Sequence, residues 1–91
     1  DLDQNEIYGS ELKIINEFGK CLACNEQGEL CCGDGSGAVW NILKADDHTK
    51  YFIVNHAYPY ALARFQNAVK LVPKTSKPHD GTMYWVISNS N

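Results

Sequence analysis

A short pattern written twice constrains this 91-residue chain more than any single residue does. YFIVN (Tyr51 to Asn55) reads against LKIIN (Leu12 to Asn16), Leu62-Ala63 against Leu22-Ala23, and MYWVI (Met83 to Ile87) against AVWNI (Ala38 to Ile42), at offsets of 39, 40 and 45 residues. The copies differ mainly by an insertion near Lys74 to Asp80. Repetition at a fixed period restricts architecture first, because each copy must be the same supersecondary unit and none buries its apolar face alone. The chain divides into an N-terminal arm over residues 1–11, a first unit over 12–50 and a second over 51–91, all within one domain.

Each unit reads as four short strands. Leu12 to Asn16 is an apolar run of strand length, closed by the turn-like Glu17-Phe18-Gly19-Lys20. In CLACNEQGELCC, Asn25-Glu26-Gln27-Gly28 suits a type I turn followed by a left-handed glycine, which closes a hairpin. Residues 22, 24, 30 and 32 then share one face, and 21, 23, 31 and 33 the other. Gly33 to Gly37 is a loop, and Ala38 to Leu43 is the fourth strand. The second unit repeats the order: Tyr51 to Asn55, a loop at His56 to Tyr60, Ala61 to Phe65, a turn at Gln66-Asn67, Ala68 to Val72, a long loop from Pro73 to Gly81, and Thr82 to Ser88. Val69 and Leu71 alternate with Lys70, as a half-buried strand requires. ALARFQNAVKL could be read as a helix over 61–71, but its alignment onto the cysteine hairpin favours strands. The expected fold is all-β, with eight short strands. The acidic arm DLDQNEIYGSE is expected to be flexible and to become a strand when docked.

Composition narrows the function classes. A hydrophobic content of 44% with 21% charged residues is that of a globular chain. The net charge of −3 and the scattered lysines provide no field for nucleic acid or anionic lipid, so neither is an expected partner. No apolar run approaches the ~18 residues that a membrane span needs. A chain this short buries roughly 60–65% of its unfolded surface, so a staple or a partner surface is expected to help it. Cys21, Cys24, Cys31 and Cys32 read as two disulfides formed in an oxidising compartment. A start at Asp1 fits a mature secreted chain from which a signal peptide was removed. Same-face pairing would join Cys21 to Cys31 and Cys24 to Cys32 as diagonal neighbours, near the limit of disulfide reach. Cys21-x-x-Cys24 also has a zinc-ligand spacing, but the adjacent Cys31 and Cys32 rarely both reach one tetrahedral ion. Structural staples are expected, with no metal and no cofactor.

A unit of about 40 residues with four short strands, opening on [YL]-x-I-x-N and closing on W-x-I, resembles the β-trefoil repeat. YFIVNHAYPYALARF through YWVIS is especially similar to ricin-type and mushroom lectin repeats. The resemblance implies a β-trefoil-like fold in which Trp40 and Trp85 belong to the barrel floor. It also implies a Cys21–Cys32 disulfide, leaving Cys24 with Cys31, and carbohydrate binding. A trefoil closes with three units and this chain has two. An unfinished barrel leaves strand edges and apolar side chains open. A further chain supplying the missing repeat, identical or different, is therefore the expected partner; closure of the two units on each other as a smaller barrel or sandwich is the alternative. The lectin site's Asp and Gln positions hold Ala23 and Ala38 in the first unit, Ala63 and Met83 in the second, so the family's usual galactose geometry is not expected.

No enzymatic signature is present: GxSxG, HExxH, the Walker loop and the dinucleotide fingerprint are all missing. Asp46-Asp47-His48 reads as a solvated turn. Two binding readings stand. For carbohydrate, Asn55, His56, Tyr58 and Tyr60 place rings, an amide and an imidazole in one loop. For protease inhibition or another protein partner, the loop Pro73 to Gly81 carries two stiffening prolines and offers Lys74 followed by Thr75. The sequence thus points to a secreted, disulfide-stapled, non-enzymatic binding protein, with carbohydrate ahead of protease inhibition.

Overall fold

Short apolar runs broken by turns can bury their side chains only as strands packed in sheets, and the fold is all-β. The computed structural model describes residues 2–45, 49–76 and 82–87. Among the described residues seven strands form: β1 (Ile7–Leu12), β2 (Leu22–Cys24), β3 (Leu30–Cys32), β4 (Trp40–Lys44), β5 (Tyr51–Asn55), β6 (Tyr60–Phe65) and β7 (Ala68–Pro73). They make an open five-stranded sheet in the order β1-β4-β5-β6-β7 and a separate β2-β3 hairpin. Every pairing is antiparallel. There is no α-helix among the described residues, only single 3-10 turns at Leu2–Gln4 and Ser36–Ala38. Residues 61–71, the one stretch with helical colouring, belong to the β6-β7 hairpin, whose register runs from Tyr60↔Pro73 to Phe65↔Ala68.

Local turn chemistry explains the hairpins. Gly28 takes φ +79, and Asn25 Oδ1 accepts the backbone N–H groups of Gln27 and Glu29. That turn sets Leu22↔Cys32, Ala23↔Cys31 and Cys24↔Leu30, the register expected from sequence.

Two expected strands differ. The first strand is not Leu12 to Asn16 but Ile7–Leu12, drawn back onto β4. Lys44 N–H donates to Glu6 C=O at 2.7 Å, and Glu11 N–H donates to Asn41 Oδ1 at 2.8 Å. These long-range bonds, with two register shifts along β1, outweigh the apolar run. Ile15 keeps only an isolated bridge to Cys21. The last strand, expected from Thr82 to Ser88, is reduced within its described part to one antiparallel bridge, Tyr51↔Trp85. The described residues leave both sheets open and do not close a barrel.

Two apolar clusters fill the interior. One holds Leu2, Leu43, Ala45, Phe52, Val54, Ala61, Ala63 and Met83 under the large sheet. The other gathers Cys24, Trp40 and Leu62 with the partly buried Ile14, Leu22, Leu30, Ile53, Leu71 and Trp85. This second cluster draws on both copies of the sequence pattern: Ile14 and Ile53, Leu22 and Leu62, and Trp40 and Trp85 all belong to it. Fully burying side chains of this size stabilises the fold by about 2–3 kcal/mol each.

Candidate functional site

The two tryptophans are held in the same way. Trp40, fully buried, donates its ring N–H to the Leu22 carbonyl at 2.9 Å, and Trp85 donates its own to the Leu62 carbonyl at 3.1 Å. Each also lies opposite the residue that opens its copy of the pattern, as Leu12↔Trp40 and Tyr51↔Trp85. The asparagines at the ends of LKIIN and YFIVN match as well. Asn16 Oδ1 accepts the N–H groups of Phe18 and Lys20, while Asn55 Oδ1 accepts those of Ala57 and Tyr58. An indole N–H removed from water must find an acceptor, and an asparagine oxygen that caps its own turn fixes the chain reversal.

This framework decides what the loop Asn55 to Tyr60 can offer. Asn55 is fully buried, and its amide also donates to Gly37 C=O at 2.9 Å, so it shapes the loop and no ligand reaches it. Tyr60 donates its hydroxyl to Glu26 C=O at 2.8 Å and packs beside Gly28, clamping the β2-β3 turn. Tyr58 is half-buried and lies against Gly37. His56 is exposed, with Nδ1 3.2 Å from Asn41 Nδ2. Because Asn41 Oδ1 already accepts Glu11 N–H, its amide must donate to that nitrogen, which places the proton of a neutral His56 on Nε2. Of the four residues expected to bind sugar, His56 is exposed, and Tyr58, packed against the second apolar cluster, is only partly exposed.

Lys74 is also poorly placed for its expected role. Its side chain is only 11% exposed and ion-paired with Asp3 at 3.4 Å, while its backbone N–H bonds Pro59 C=O and its carbonyl accepts Leu2 N–H. A side chain so enclosed does not enter a protease pocket without first leaving Asp3. Thr75 is exposed beside it. The rest of that loop, Lys77 to Gly81, and the Asp46-Asp47-His48 turn lie outside the described residues.

All four cysteines are free thiols in this structure, so the expected staples are not formed in it. Cys24 is buried, Cys21 half-buried, and Cys31 and Cys32 exposed. Burial, and secondarily the charge of Cys31, pushes the Cys24 thiol above its ordinary value. Cys21 and Cys32 both line a cleft of roughly 310 Å³ with Gly19, Lys20, Gly33 and Asp34. Asp34 is ion-paired with Lys13. That pair holds the Asp34 carboxyl below the usual carboxylate range and raises Lys13, first through the hydrogen bond and then through charge. No three His, Cys, Asp or Glu side chains converge on a metal position among the described residues.

Comparison with protein-family models, curated proteins and solved structures found no match to this chain. The site is therefore read from its own geometry.

One surface escaped the sequence reading. Arg64, at the end of β6, lies between a cleft of roughly 590 Å³ towards Gln66, Asn67 and Lys70 and another of roughly 330 Å³ towards Lys50, Tyr84 and Val86. Its lysines look scattered in the sequence because β-pairing, not adjacency, assembles them. The available signal was the absence of any Asp or Glu from residue 49 to residue 79, a stretch holding five Lys or Arg.

Proposed function

We propose that this chain is a secreted, non-enzymatic binding module made of two trefoil-like units, with carbohydrate as its ligand class and a further chain as its structural complement. What carries the reading is the matched pair of indole bonds, Trp40 to Leu22 and Trp85 to Leu62, each joining a tryptophan to the leucine at the same place in its own unit. The capping asparagines and the second apolar cluster support the same equivalence. The ligand surface is the exposed His56 with the partly exposed Tyr58 two residues on, in the loop that opens on the buried Asn55. An aromatic face with a nearby polar group is a chemistry suited to a sugar ring and its hydroxyls.

The need for a complement rests on exposed apolar side chains along the open margins. Ile7 is 59% exposed and Tyr8 53% on the edge strand β1, and Val86 is 74% exposed beyond the Trp85 bridge. Margins of this kind invite another strand. In an oxidising compartment, Cys21 and Cys32, which share a cleft, are the pair the lectin resemblance favours for a first disulfide. Protease inhibition is the weaker reading because Lys74 is enclosed.

A glycan array with wild type and Tyr58→Ala tests the ligand class, and sedimentation in the same buffer tests the complement. Binding lost in Tyr58→Ala supports the proposal. No glycan bound at high protein concentration, together with a well-folded monomer, ends it.

A further inference from the structure

We propose that the paired clefts around Arg64 bind an acidic oligosaccharide, recognised through its carboxylates. This site is separate from the His56–Tyr58 surface and stands without it. The first observation is how charge divides along the fold. Residues 1–34 carry eight Asp or Glu and two Lys, whereas residues 49–79 carry five Lys or Arg and no acid. The net charge of −3 thus conceals an acidic stretch early in the chain and a basic one later.

The second observation is where the free cations lie. Lys13, Lys44 and Lys74 are each committed to an acid. Lys50, Arg64 and Lys70 are all exposed and make no ion pair among the described residues; the one other described cation in that state, Lys20, lies at the cysteine cleft. Arg64 borders both clefts, with Lys70 on one side and Lys50 on the other. No described Asp or Glu lines either cleft. The lysine ammonium groups are steadied over rings, Lys50 at 5.6 Å from the centre of Tyr84 and Lys70 at 6.0 Å from that of Phe65. Arg64 N–H donates to Thr82 C=O at 2.8 Å, which fastens β6 to the segment carrying Tyr84.

These parts specify the ligand. A planar guanidinium matches a carboxylate with two parallel bonds, and flanking lysines accept further acids along a chain. Gln66 and Asn67 add amides at one end of the run, suited to hydroxyl groups. Clefts of this volume suit a few sugar rings. A long nucleic acid would extend beyond the clefts over a molecule of net charge −3 and gain no general attraction from it.

The test is calorimetric titration with trigalacturonate, a carboxylated trisaccharide, and with a neutral galactose trisaccharide as control. Arg64→Gln, Lys70→Gln and Tyr58→Ala variants are titrated alongside, each checked by circular dichroism. Trigalacturonate is expected to bind, weakening about tenfold in Arg64→Gln, less in Lys70→Gln, and progressively with salt. Tyr58→Ala is expected to leave it unchanged, so loss of neutral-glycan binding in that variant and loss of acid binding in Arg64→Gln are separate results. Absence of trigalacturonate binding, or binding indifferent to Arg64→Gln, overturns the proposal. So does salt-sensitive self-association relieved by Arg64→Gln without saccharide binding, because the clefts would then accept the acidic stretch of a second copy.

Discussion

Replacing Trp40 by Phe tests the framework at its most enclosed point. The indole is fully buried in the cluster shared by both units and makes one polar contact, its N–H to Leu22 C=O at 2.9 Å. Phenylalanine keeps a ring but loses the donor and the second ring's volume. The lost apolar burial is worth roughly 1 kcal/mol. The Leu22 carbonyl, left without its partner in apolar surroundings, adds about 1–3 kcal/mol, and incomplete collapse of the space left behind pushes the total towards its upper end. A loss of about 2–4 kcal/mol is expected. A domain of this size has on the order of 5–14 kcal/mol in all, so the variant would still fold with a clearly lower urea midpoint. Trp85→Phe removes the matching bond at 3.1 Å from a half-buried ring and is expected to cost about half as much. Urea unfolding followed by far-ultraviolet circular dichroism, which does not depend on the remaining tryptophan, reads both. A Trp40→Phe cost below about 0.5 kcal/mol, or a larger cost in Trp85→Phe, would refute the reasoning.

Four further outcomes follow from the same geometry. Gly37→Ala puts a Cβ onto the Cys24 carbonyl oxygen, a backbone atom with nowhere to go, and should cost about 3 kcal/mol in urea unfolding. Gly33→Ala, with nothing within 4 Å, should stay within about 0.5 kcal/mol of wild type. Under reducing conditions iodoacetamide should label Cys31 and Cys32 well before Cys24, whose thiol is raised by burial; equal rates by peptide mass mapping would contradict this. The Asp34 carboxyl is held down by Lys13, so its stabilisation is present above the ordinary aspartate value and lost as pH falls through the lowered one. Both partners are solvent-exposed, so the effect should be small and abolished by salt. Carboxyl NMR should show Asp34 titrating below the usual range and returning towards it in Lys13→Met.

What could be read from sequence was local. The Asn25–Gly28 turn dictates the β2-β3 register through one side chain and one left-handed glycine, and both lie within five residues. The β6-β7 hairpin and the YFIVN strand were legible for the same reason. The position of β1 was not, because its partner β4 lies 30 residues away and the deciding bond joins Glu11 to Asn41. Site chemistry divided along the same line. Asn55 has the composition of a ligand contact, yet its amide is spent on Gly37, 18 residues earlier. The Arg64 clefts depend on which strand ends meet, and no spacing rule encodes that.

The segment Gly33 to Gly37 is held unequally along its length: at its start Gly33 N–H donates to Cys21 C=O at 3.2 Å and Asp34 pairs with Lys13 at the surface, while its end is packed inside. Gly37 is wedged between the Cys24 backbone and the Asn55 amide, whereas Gly33 and Gly35 face open space. The tolerance of this stretch to added length should therefore be lopsided. A peptide tag spliced in ahead of Gly35 would cost little, since doubling a loop adds only about 0.6 kcal/mol of closure entropy. The same tag inserted one or two residues later would withdraw the wedge and release both neighbours it holds.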